Sequence, residues 1–203
     1  MEKPFWENTY NDDSVTTFGI KPTKALEAMW ESFDKNWSVL DVGCGEGKNA
    51  LFLAEKGFIN VDAFDISQSG INKLIRIAST NKIKIIAWVE DLTKYDFNKS
   101  YDLIMSHGVL HFVRKEEWKE FIIKAKANTN LGGVHIMQVF TNRVPASPDI
   151  APFVKGLADE GELESIYQDW DIIEFSSYIF EDEHPGVEKH LHASNRIIAK
   201  KKL

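Results

Sequence analysis

The sequence reads Val39-Leu40-Asp41-Val42-Gly43-Cys44-Gly45-Glu46-Gly47 where a short apolar run meets three glycines at alternating positions. An amphipathic segment begins directly after it, at Lys48. A buried strand, a glycine-rich turn and a helix, in that order, are typical of the first unit of an open α/β sheet, whose ligands lie beyond the carboxyl ends of the strands. Glycine allows positive φ and has no Cβ to hold the backbone away from a ligand. The stretch therefore predicts a turn that contacts a nucleotide-like ligand.

Apolar runs rich in β-branched residues recur along the chain, each short enough for a strand. They lie at residues 38–42, 60–64, 84–89, 101–105 and 134–140. Amphipathic segments at 48–56, 68–79 and 115–128 separate several of these runs. Because the runs are apolar on both faces, they suit strands that are covered by helices on both sides. The pattern predicts a Rossmann-like α/β fold with a mostly parallel sheet.

The C-terminal part of the chain has a looser pattern. A proline-rich loop at 145–152 is expected to fold over the ligand side of the sheet. A helix at 160–168 and a strand at 171–175 follow, and a last strand is expected at 196–200. The polar, histidine-bearing stretch at 181–192 is interpreted as a hairpin insertion between the two final strands. The expected total is about seven strands.

Composition narrows the classes of function. The chain has 203 residues, of which 43% are hydrophobic, so it suits one domain with a continuous core. The formal net charge of -7 disfavours nucleic acid and anionic membrane as partners. The N-terminus lacks the pattern of a secretory signal, no apolar stretch has the length of a membrane span, and Cys44 is the single cysteine. We expect a cytoplasmic protein without disulfides or membrane association.

Two carboxylates near the glycine turn narrow the choice of ligand. Asp65 lies 22 positions after Gly43, close to the spacing of an acidic residue that binds a ribose diol. Asp41 precedes the glycines and would orient a methionine ammonium group. A nicotinamide enzyme is the rival, but its G-x-G-x-x-G pattern needs a third glycine where this chain has Lys48. The spacing favours S-adenosyl-L-methionine, while a tight turn without any ligand is the simplest alternative.

Further cofactor contacts are expected after the second, third and fourth strands. Asp91 and Leu92 follow the third strand, where a carboxylate bonds the adenine amino group and an apolar side chain covers the ring. The fourth strand ends at a loop that faces the transferable methyl group. The predicted cofactor-binding residues are Asp41, Gly43, Gly45, Asp65, Ile66, Asp91, Leu92, Ser106 and His107.

With these motifs the sequence resembles the class I S-adenosylmethionine-dependent methyltransferases, and within them the tellurite-resistance methyltransferase family. The resemblance covers most of the chain. It is carried by Phe5-Trp6, Leu40 to Asn49, Val61 to Asp65, Tyr101 to Ser106, and Glu160 to Leu163 with Tyr167 and Trp170.

The resemblance implies a seven-stranded sheet with an antiparallel last strand, and methyl transfer to tellurite, selenite or a thiol-like soft acceptor. It also implies that histidine and arginine side chains near the C-terminus line the acceptor site. In this chain His184 is followed by Pro185, and Arg196 is the cation that stands nearest to the family pattern. On this reading residues 1–35 form N-terminal cap helices, 36–140 the cofactor-binding core, and 141–203 the acceptor-side loop, helix and final strands.

Histidines are the candidate groups for the acceptor. A soft anion or thiolate needs no strong base, only groups that hold it and exclude water, whereas an oxygen or nitrogen acceptor needs a base such as histidine. The predicted acceptor-side residues are His107, His111, His184, His190, His192 and Arg196. Packing roles for these histidines, a metal site in the hairpin, and a cofactor-binding domain without catalysis are the alternatives. We expect a small-molecule acceptor and no metal.

Overall fold

Seven strands form one sheet in this computed structural model, which describes residues 4–184 and 187–203, except for the side chain of His184. The sheet order is β3-β2-β1-β4-β5-β7-β6, and β7 runs antiparallel to both of its neighbours. β1 to β5 are parallel. The strands are β1 (Ser38–Val42), β2 (Asn60–Asp65), β3 (Ile86–Val89), β4 (Tyr101–Ser106), β5 (Thr129–Phe140), β6 (Asp171–His184) and β7 (Val187–Lys200). The predicted fold class, including the antiparallel last strand, is confirmed.

Helices cover both faces of the sheet and connect most of its parallel strands. The helices are α1 (Phe5–Tyr10), α2 (Lys24–Met29), α3 (Lys48–Glu55), α4 (Gln68–Thr80), α5 (Lys115–Ala127) and α6 (Glu162–Ser165), with short 3-10 turns at Trp30–Ser32 and Leu110–Phe112. The helix expected at 160–168 is shorter than predicted. It begins after Gly161, whose φ of 76° is not helical, and it already ends at Ser165. None of the helices in the described ranges is long and apolar enough to cross a membrane.

The core lies on both faces because β1 is buried on both sides. Leu40 belongs to the apolar cluster that includes Trp118 of α5, while Val39 belongs to the cluster that includes Leu53 of α3 and Leu74 of α4. Successive side chains of a strand point to opposite faces, so a strand that is apolar on both faces needs a helix layer on each side. This burial fixes the glycine turn at the carboxyl edge of the sheet.

The last two strands are longer than predicted, and residues 181–192 continue them rather than forming a separate insertion. β5 stops pairing with β7 at Phe140 and Ser194, but β6 and β7 stay paired as far as His184 and Val187. The extended hairpin therefore projects past the carboxyl edge of the sheet. Its side chains are largely polar, so the sequence lacks the apolar run by which buried strands are recognised.

Candidate active site

The three glycines of the turn all adopt left-handed backbone conformations. Gly43, Gly45 and Gly47 have φ angles of 65°, 55° and 85°. A Cβ on Gly43 would lie 2.6 Å from the side chain of Val109, and a Cβ on Gly45 would lie 2.4 Å from the hydroxyl of Tyr10. The turn therefore needs glycine both for its backbone and for the close approach of neighbouring side chains.

Two aspartates that the sequence singled out, Asp65 and Asp41, flank the turn. Asp65 Oδ2 accepts a hydrogen bond from the Gly45 amide at 2.8 Å, and its Oδ1 accepts one from the Ser67 amide at 2.8 Å. Asp41 is buried and accepts a hydrogen bond from the Ala50 amide at 3.2 Å. Burial raises the pKa of Asp41 to about 7. A nearby cation would lower this pKa, so the site is suited to a positively charged ligand.

The other predicted cofactor residues lie at the same edge. Ile66 follows Asp65 and is 70% exposed, which is unusual for a large apolar side chain. Leu92 is buried, whereas Asp91 Oδ1 accepts hydrogen bonds from the amide and hydroxyl of Thr93 at 2.9 and 2.8 Å. Asp91 thus also shapes its own loop.

Ser106, which ends β4, is buried and polar, and His107, which follows it, is partly buried. Ser106 is fully buried, and its hydroxyl has no hydrogen-bond partner among the described residues. Burial, together with the positive charges of Lys48 and Arg196, lowers the pKa of His107 to about 3. His107 is therefore a neutral imidazole at physiological pH. Lys48, the first residue of α3, lies close enough to His107 to affect its ionisation, a relation that the sequence did not suggest.

Two predicted histidines enclose one aromatic ring. The ring of Phe140, the last residue of β5, stacks on His111 at 4.1 Å between centroids and on His192 at 4.4 Å. Burial, with His192 and His107 nearby, lowers the pKa of His111 to about 3, so it is neutral. This stack lies at the carboxyl ends of β4 and β5, where open α/β sheets bind their ligands.

The hairpin histidines meet a carboxylate from the proline-rich loop. His190 Nε2 lies 3.0 Å from His192 Nε2 and 3.8 Å from Asp149 Oδ2. The Asp149 side chain is only 6% exposed, and neither of its oxygens has a hydrogen-bond partner among the described residues. No motif marks Asp149 among the 31 acidic residues of the chain, so the sequence did not predict it. Within 4–184 and 187–203, no three His, Cys, Asp or Glu residues are arranged to hold a metal.

Arg196 of β7 lies beside these groups but already has a partner. Its guanidinium forms an ion pair with Glu174 of β6 and lies over the ring of Tyr178, 5.6 Å from the centroid. The Arg196 Nε atom remains without a hydrogen-bond partner in the described part of the chain. The side chain of His184, the remaining predicted residue, lies outside the described residues.

Unpartnered buried polar atoms are concentrated at this edge. We call the set the polar rim. It comprises side chains of the β4 and β5 ends, the loops that follow them, and β7: Ser106, His111, Gln138, Thr141, Ser147, Asp149, Asn195 and Arg196. Buried polar groups in native proteins are nearly always hydrogen-bonded. A concentration of unpartnered ones therefore indicates a place where water or a polar ligand binds.

The opposite side of the glycine turn holds a buried ion pair that the sequence did not predict either. We call it the N-terminal latch, formed by Lys73 of α4 and Glu46 of the turn, whose charged atoms lie 2.8 Å apart. Glu46 Oε1 accepts a hydrogen bond from the Thr17 amide at 2.6 Å. Lys73 Nζ donates to three carbonyl oxygens of the N-terminal segment, those of Thr9 (3.0 Å), Asp12 (2.9 Å) and Val15 (2.6 Å). The hydrogen bonds of the latch hold residues 9–17 against the turn.

Two covering segments meet over the site. The ring of Trp6 in α1 lies 5.1 Å from that of Phe112, which follows β4, and 5.8 Å from that of Phe153, directly after the proline-rich loop. The negative charges of Asp41 and Asp182 both act on Lys48, so the hairpin also approaches the start of α3. These contacts cover part of the carboxyl edge of the sheet.

The fold and this glycine turn are those of the class I S-adenosylmethionine-dependent methyltransferases. The chain belongs to the tellurite resistance protein TehB family, whose model matches residues 7–200. A probable S-adenosyl-L-methionine-dependent methyltransferase TehB from Haemophilus influenzae is 31% identical over 140 residues, which are 68% of this chain and 47% of that protein. The chain thus spans about half the length of the curated TehB relatives it matches.

Other relatives and structures share the fold with different stated substrates. The crystal structure of TehB from Haemophilus influenzae superimposes with a TM-score of 0.78 at 22% identity, covering 98% of this chain and 66% of that one. A ubiquinone biosynthesis O-methyltransferase from Rickettsia conorii is 34% identical over 115 residues, 55% of this chain and 39% of its own length. The magnesium protoporphyrin IX methyltransferase of Synechocystis, solved with bound S-adenosylhomocysteine, has a TM-score of 0.66 at 15% identity and covers 97% of this chain and 83% of that one.

Proposed function

We propose that this chain binds S-adenosyl-L-methionine at the glycine turn and transfers its methyl group to a small, soft acceptor at the polar rim. The observation that carries the proposal is the position of the polar rim, whose unpartnered buried atoms lie at the same sheet edge as the turn. Membership of the TehB family supports the cofactor and makes tellurite, selenite and thiols the acceptors to test first.

The cofactor contacts follow from the charges and shapes at the turn. Gly43 and Gly45 let the backbone approach the ligand, and Asp41 attracts the methionine ammonium group. Asp65 has one backbone donor on each oxygen and keeps lone pairs for the ribose hydroxyls. Ile66, Leu92 and Asp91 would hold the adenine, while Ser106 and His107 would contact the sulfonium end of the cofactor. A neutral His107 suits that position, because an imidazolium would repel the positive sulfur.

The residues around Phe140 favour displacement at the methyl group. The sulfonium loses its charge as the methyl moves, so a site with little water lowers the barrier. His111 and His192 hold the acceptor beside the ring of Phe140, and Arg196 attracts an anionic one. His190 belongs to the same hairpin and completes the acceptor side, while a role for His184 stays a prediction from the sequence. Positioning of the two reactants supplies much of the rate.

A second candidate is methyl transfer to an oxygen or nitrogen atom with histidine as base. The contact between His190 and His192, close to Asp149, favours it because a carboxylate near an imidazole stabilises the protonated ring. We also propose that the partner is a small molecule and not nucleic acid, given the net charge of -7. The single free thiol, Cys44, suits the reducing cytoplasm.

The test is release of S-adenosylhomocysteine from S-adenosyl-L-methionine with tellurite, selenite, small thiols and a catechol, with the methylated product identified by mass spectrometry. We expect turnover with at least one of them, and a loss of turnover in His192→Ala without loss of cofactor binding. Lys189→Ala is the matched control, because Lys189 lies on the same hairpin and pairs with Glu181 in solvent. Tight binding of S-adenosylhomocysteine with no methylated product would instead support a larger acceptor or a non-catalytic domain. Tighter binding of NAD would contradict the cofactor.

A further inference from the structure

The hydrogen bonds of the two hairpin histidines define which nitrogens carry protons. His190 Nδ1 lies 2.7 Å from the carbonyl oxygen of Glu188, and a carbonyl can only accept, so the proton is on Nδ1. In neutral His190 the Nε2 atom then carries a lone pair and accepts from His192 Nε2, 3.0 Å away. The proton of neutral His192 is therefore on Nε2, and its Nδ1 carries a lone pair.

With the protons placed in this way, a proton can pass from His192 to His190. A proton that arrives at His192 Nδ1 makes that ring cationic, and the proton on its Nε2 can pass along the 3.0 Å contact to His190 Nε2. His190 then donates with both nitrogens, and its positive charge lies 3.8 Å from Asp149 Oδ2. Because Asp149 is buried and lacks hydrogen-bond donors among the described residues, it gains most from a cation at this distance.

His192 lies at the carboxyl edge of the sheet, where methyl transfer is proposed, and His190 lies further along the hairpin. His192 stacks on Phe140 at the carboxyl end of β5, whereas His190 is the register partner of Asp182 on β6. Within the described part of the chain, the charged and titratable groups that face the pair include Asp149 from the proline-rich loop, Asp182 from β6, and His111 across the ring of Phe140. The two carboxylates thus lie at the His190 end of the pair, whereas His111, on the other side of Phe140, is neutral.

We propose that His192, His190 and Asp149 form a proton relay, and that the acceptor is a thiol or hydroxyl that loses its proton as the methyl arrives. The inference rests on the proposed methyl transfer. The acceptor atom forms a bond to the methyl carbon as the bond from that carbon to the sulfonium sulfur breaks. The sulfur keeps the electron pair and becomes the thioether of S-adenosylhomocysteine. The acceptor proton goes to His192 Nδ1, the Nε2 proton of His192 passes to His190, and one proton finally leaves to solvent.

The relay distinguishes two classes among the acceptors of the two candidate functions, namely the soft oxyanions and the protonated thiols and hydroxyls. An oxyanion such as tellurite or selenite attacks through a lone pair on the central atom and has no proton to give from that atom. A thiol or hydroxyl that is protonated at the pH of the reaction must lose its proton, and a positioned base typically contributes a factor of about 100 or more. A relay of this kind therefore matters only for the second class.

The first test needs no acceptor and no activity. Nitrogen-15 NMR of ring-labelled histidines at a pH where both rings are neutral reports the protonated nitrogen of each, with His190→Phe and His192→Phe for assignment. We expect the Nδ1-protonated form for His190 and the Nε2-protonated form for His192. The opposite form of either ring would overturn the relay, whatever reaction the protein catalyses.

The second test compares acceptors of graded acidity. In Asp149→Asn, kcat/KM should fall about 10- to 100-fold for thiols and alcohols whose pKa lies above the assay pH. It should fall less than about threefold for thiols already ionised and for tellurite, and the acid limb of the pH profile should shift. Lys189→Gln on the same hairpin should behave as the unaltered protein.

The outcomes separate the relay from the methyl transfer on which it rests. An equal loss for all acceptors in Asp149→Asn would overturn the relay and leave the methyl transfer intact. Turnover of tellurite or selenite alone would do the same. Turnover of no acceptor would contradict the proposed function, and the histidine NMR would then decide about the relay.

Discussion

The N-terminal latch and the polar rim are both buried and polar, and both lie beside the glycine turn, but they differ in how their atoms are partnered. In the latch, Lys73 donates to three carbonyls and pairs with Glu46, which also accepts from a backbone amide. In the rim, hydroxyl, amide, imidazole and carboxylate atoms are buried without partners in the described part of the chain. The latch stabilises the fold, whereas the rim is suited to binding a ligand.

The energetic cost of the two arrangements explains the difference. A buried charge must be paired and hydrogen-bonded, because its removal from water otherwise costs several kcal/mol. The latch meets that requirement within the protein. An unpaired buried hydrogen-bonding group costs roughly 1–3 kcal/mol, so the rim lowers the stability of the free protein. We infer that the rim is retained for its ligand and the latch for the fold.

The largest effect on stability is expected at the latch. Lys73→Met would leave Glu46 as an unpaired buried charge and three carbonyls without a donor, and should lower the free energy of unfolding by about 3–5 kcal/mol. Urea denaturation measures it. The matched control is Arg76→Met on the same helix, whose ion pair with Asp13 is exposed (48% and 67% of the two side chains), so its loss should be below about 1 kcal/mol. Equal losses in the two variants would mean that the latch is no stronger than a surface pair.

Asp41→Asn should have the next largest effect on the free energy of unfolding, and it should raise this energy rather than lower it. Folding raises the pKa of Asp41 to about 7, so its contribution to stability is fully present below about pH 4 and is lost as pH rises to 7. Asparagine does not ionise and can still accept from the Ala50 amide. At pH 8 the variant should therefore be more stable, by up to about 4 kcal/mol.

The same substitution should weaken cofactor binding, which separates a ligand group from a structural one. Affinity of the unaltered protein for S-adenosyl-L-methionine should rise between about pH 6 and 8, as Asp41 ionises. Asp41→Asn should bind about tenfold or more weakly at pH 8 and lose most of this pH dependence, as calorimetry would show. Loss of stability together with unchanged affinity for S-adenosyl-L-methionine would mean that Asp41, like the latch, has a structural role.

The smallest change in stability is expected at the rim. Ser106→Ala removes a buried hydroxyl that has no partner among the described residues, so the free energy of unfolding should change by less than about 1 kcal/mol or increase. Formation of S-adenosylhomocysteine should nevertheless slow about tenfold. Thr93→Ala in the Asp91 loop is the control for removal of a partnered hydroxyl, and it should cost about 1 kcal/mol. A loss above about 2 kcal/mol in Ser106→Ala would assign Ser106 to the scaffold.

The glycine turn and the aspartates that flank it could be located from the sequence because their signals are local. The glycines, Asp41 and Asp65 stand at spacings set by one strand-turn-helix unit, and the apolar runs of β1 to β5 mark buried strands. The latch could not be predicted from the sequence, because Lys73 and Glu46 are charged residues of a kind that is normally solvated. Their burial depends on a contact between distant parts of the chain and on the N-terminal segment.

The acceptor side of the site could be predicted only in part from the sequence, for two physical reasons. The hairpin strands are largely polar, so their length was underestimated, although His190 and His192 were both among the predicted acceptor-side residues. Asp149 lies in a loop without regular periodicity, and its approach to His190 depends on how that loop folds over the sheet. Long-range contacts of this kind leave no pattern in the sequence.

The most direct test of the proposed methyl-transfer edge is a crystal structure with S-adenosylhomocysteine bound. We expect the methionine part beside Asp41, the ribose on Asp65, the adenine at Asp91 and Leu92, and the thioether sulfur facing Phe140 and the polar rim. The N-terminal latch should be unchanged. A sulfur atom that faces away from the rim, with the rim filled only by ordered water, would contradict the assignment of this edge as the place of methyl transfer.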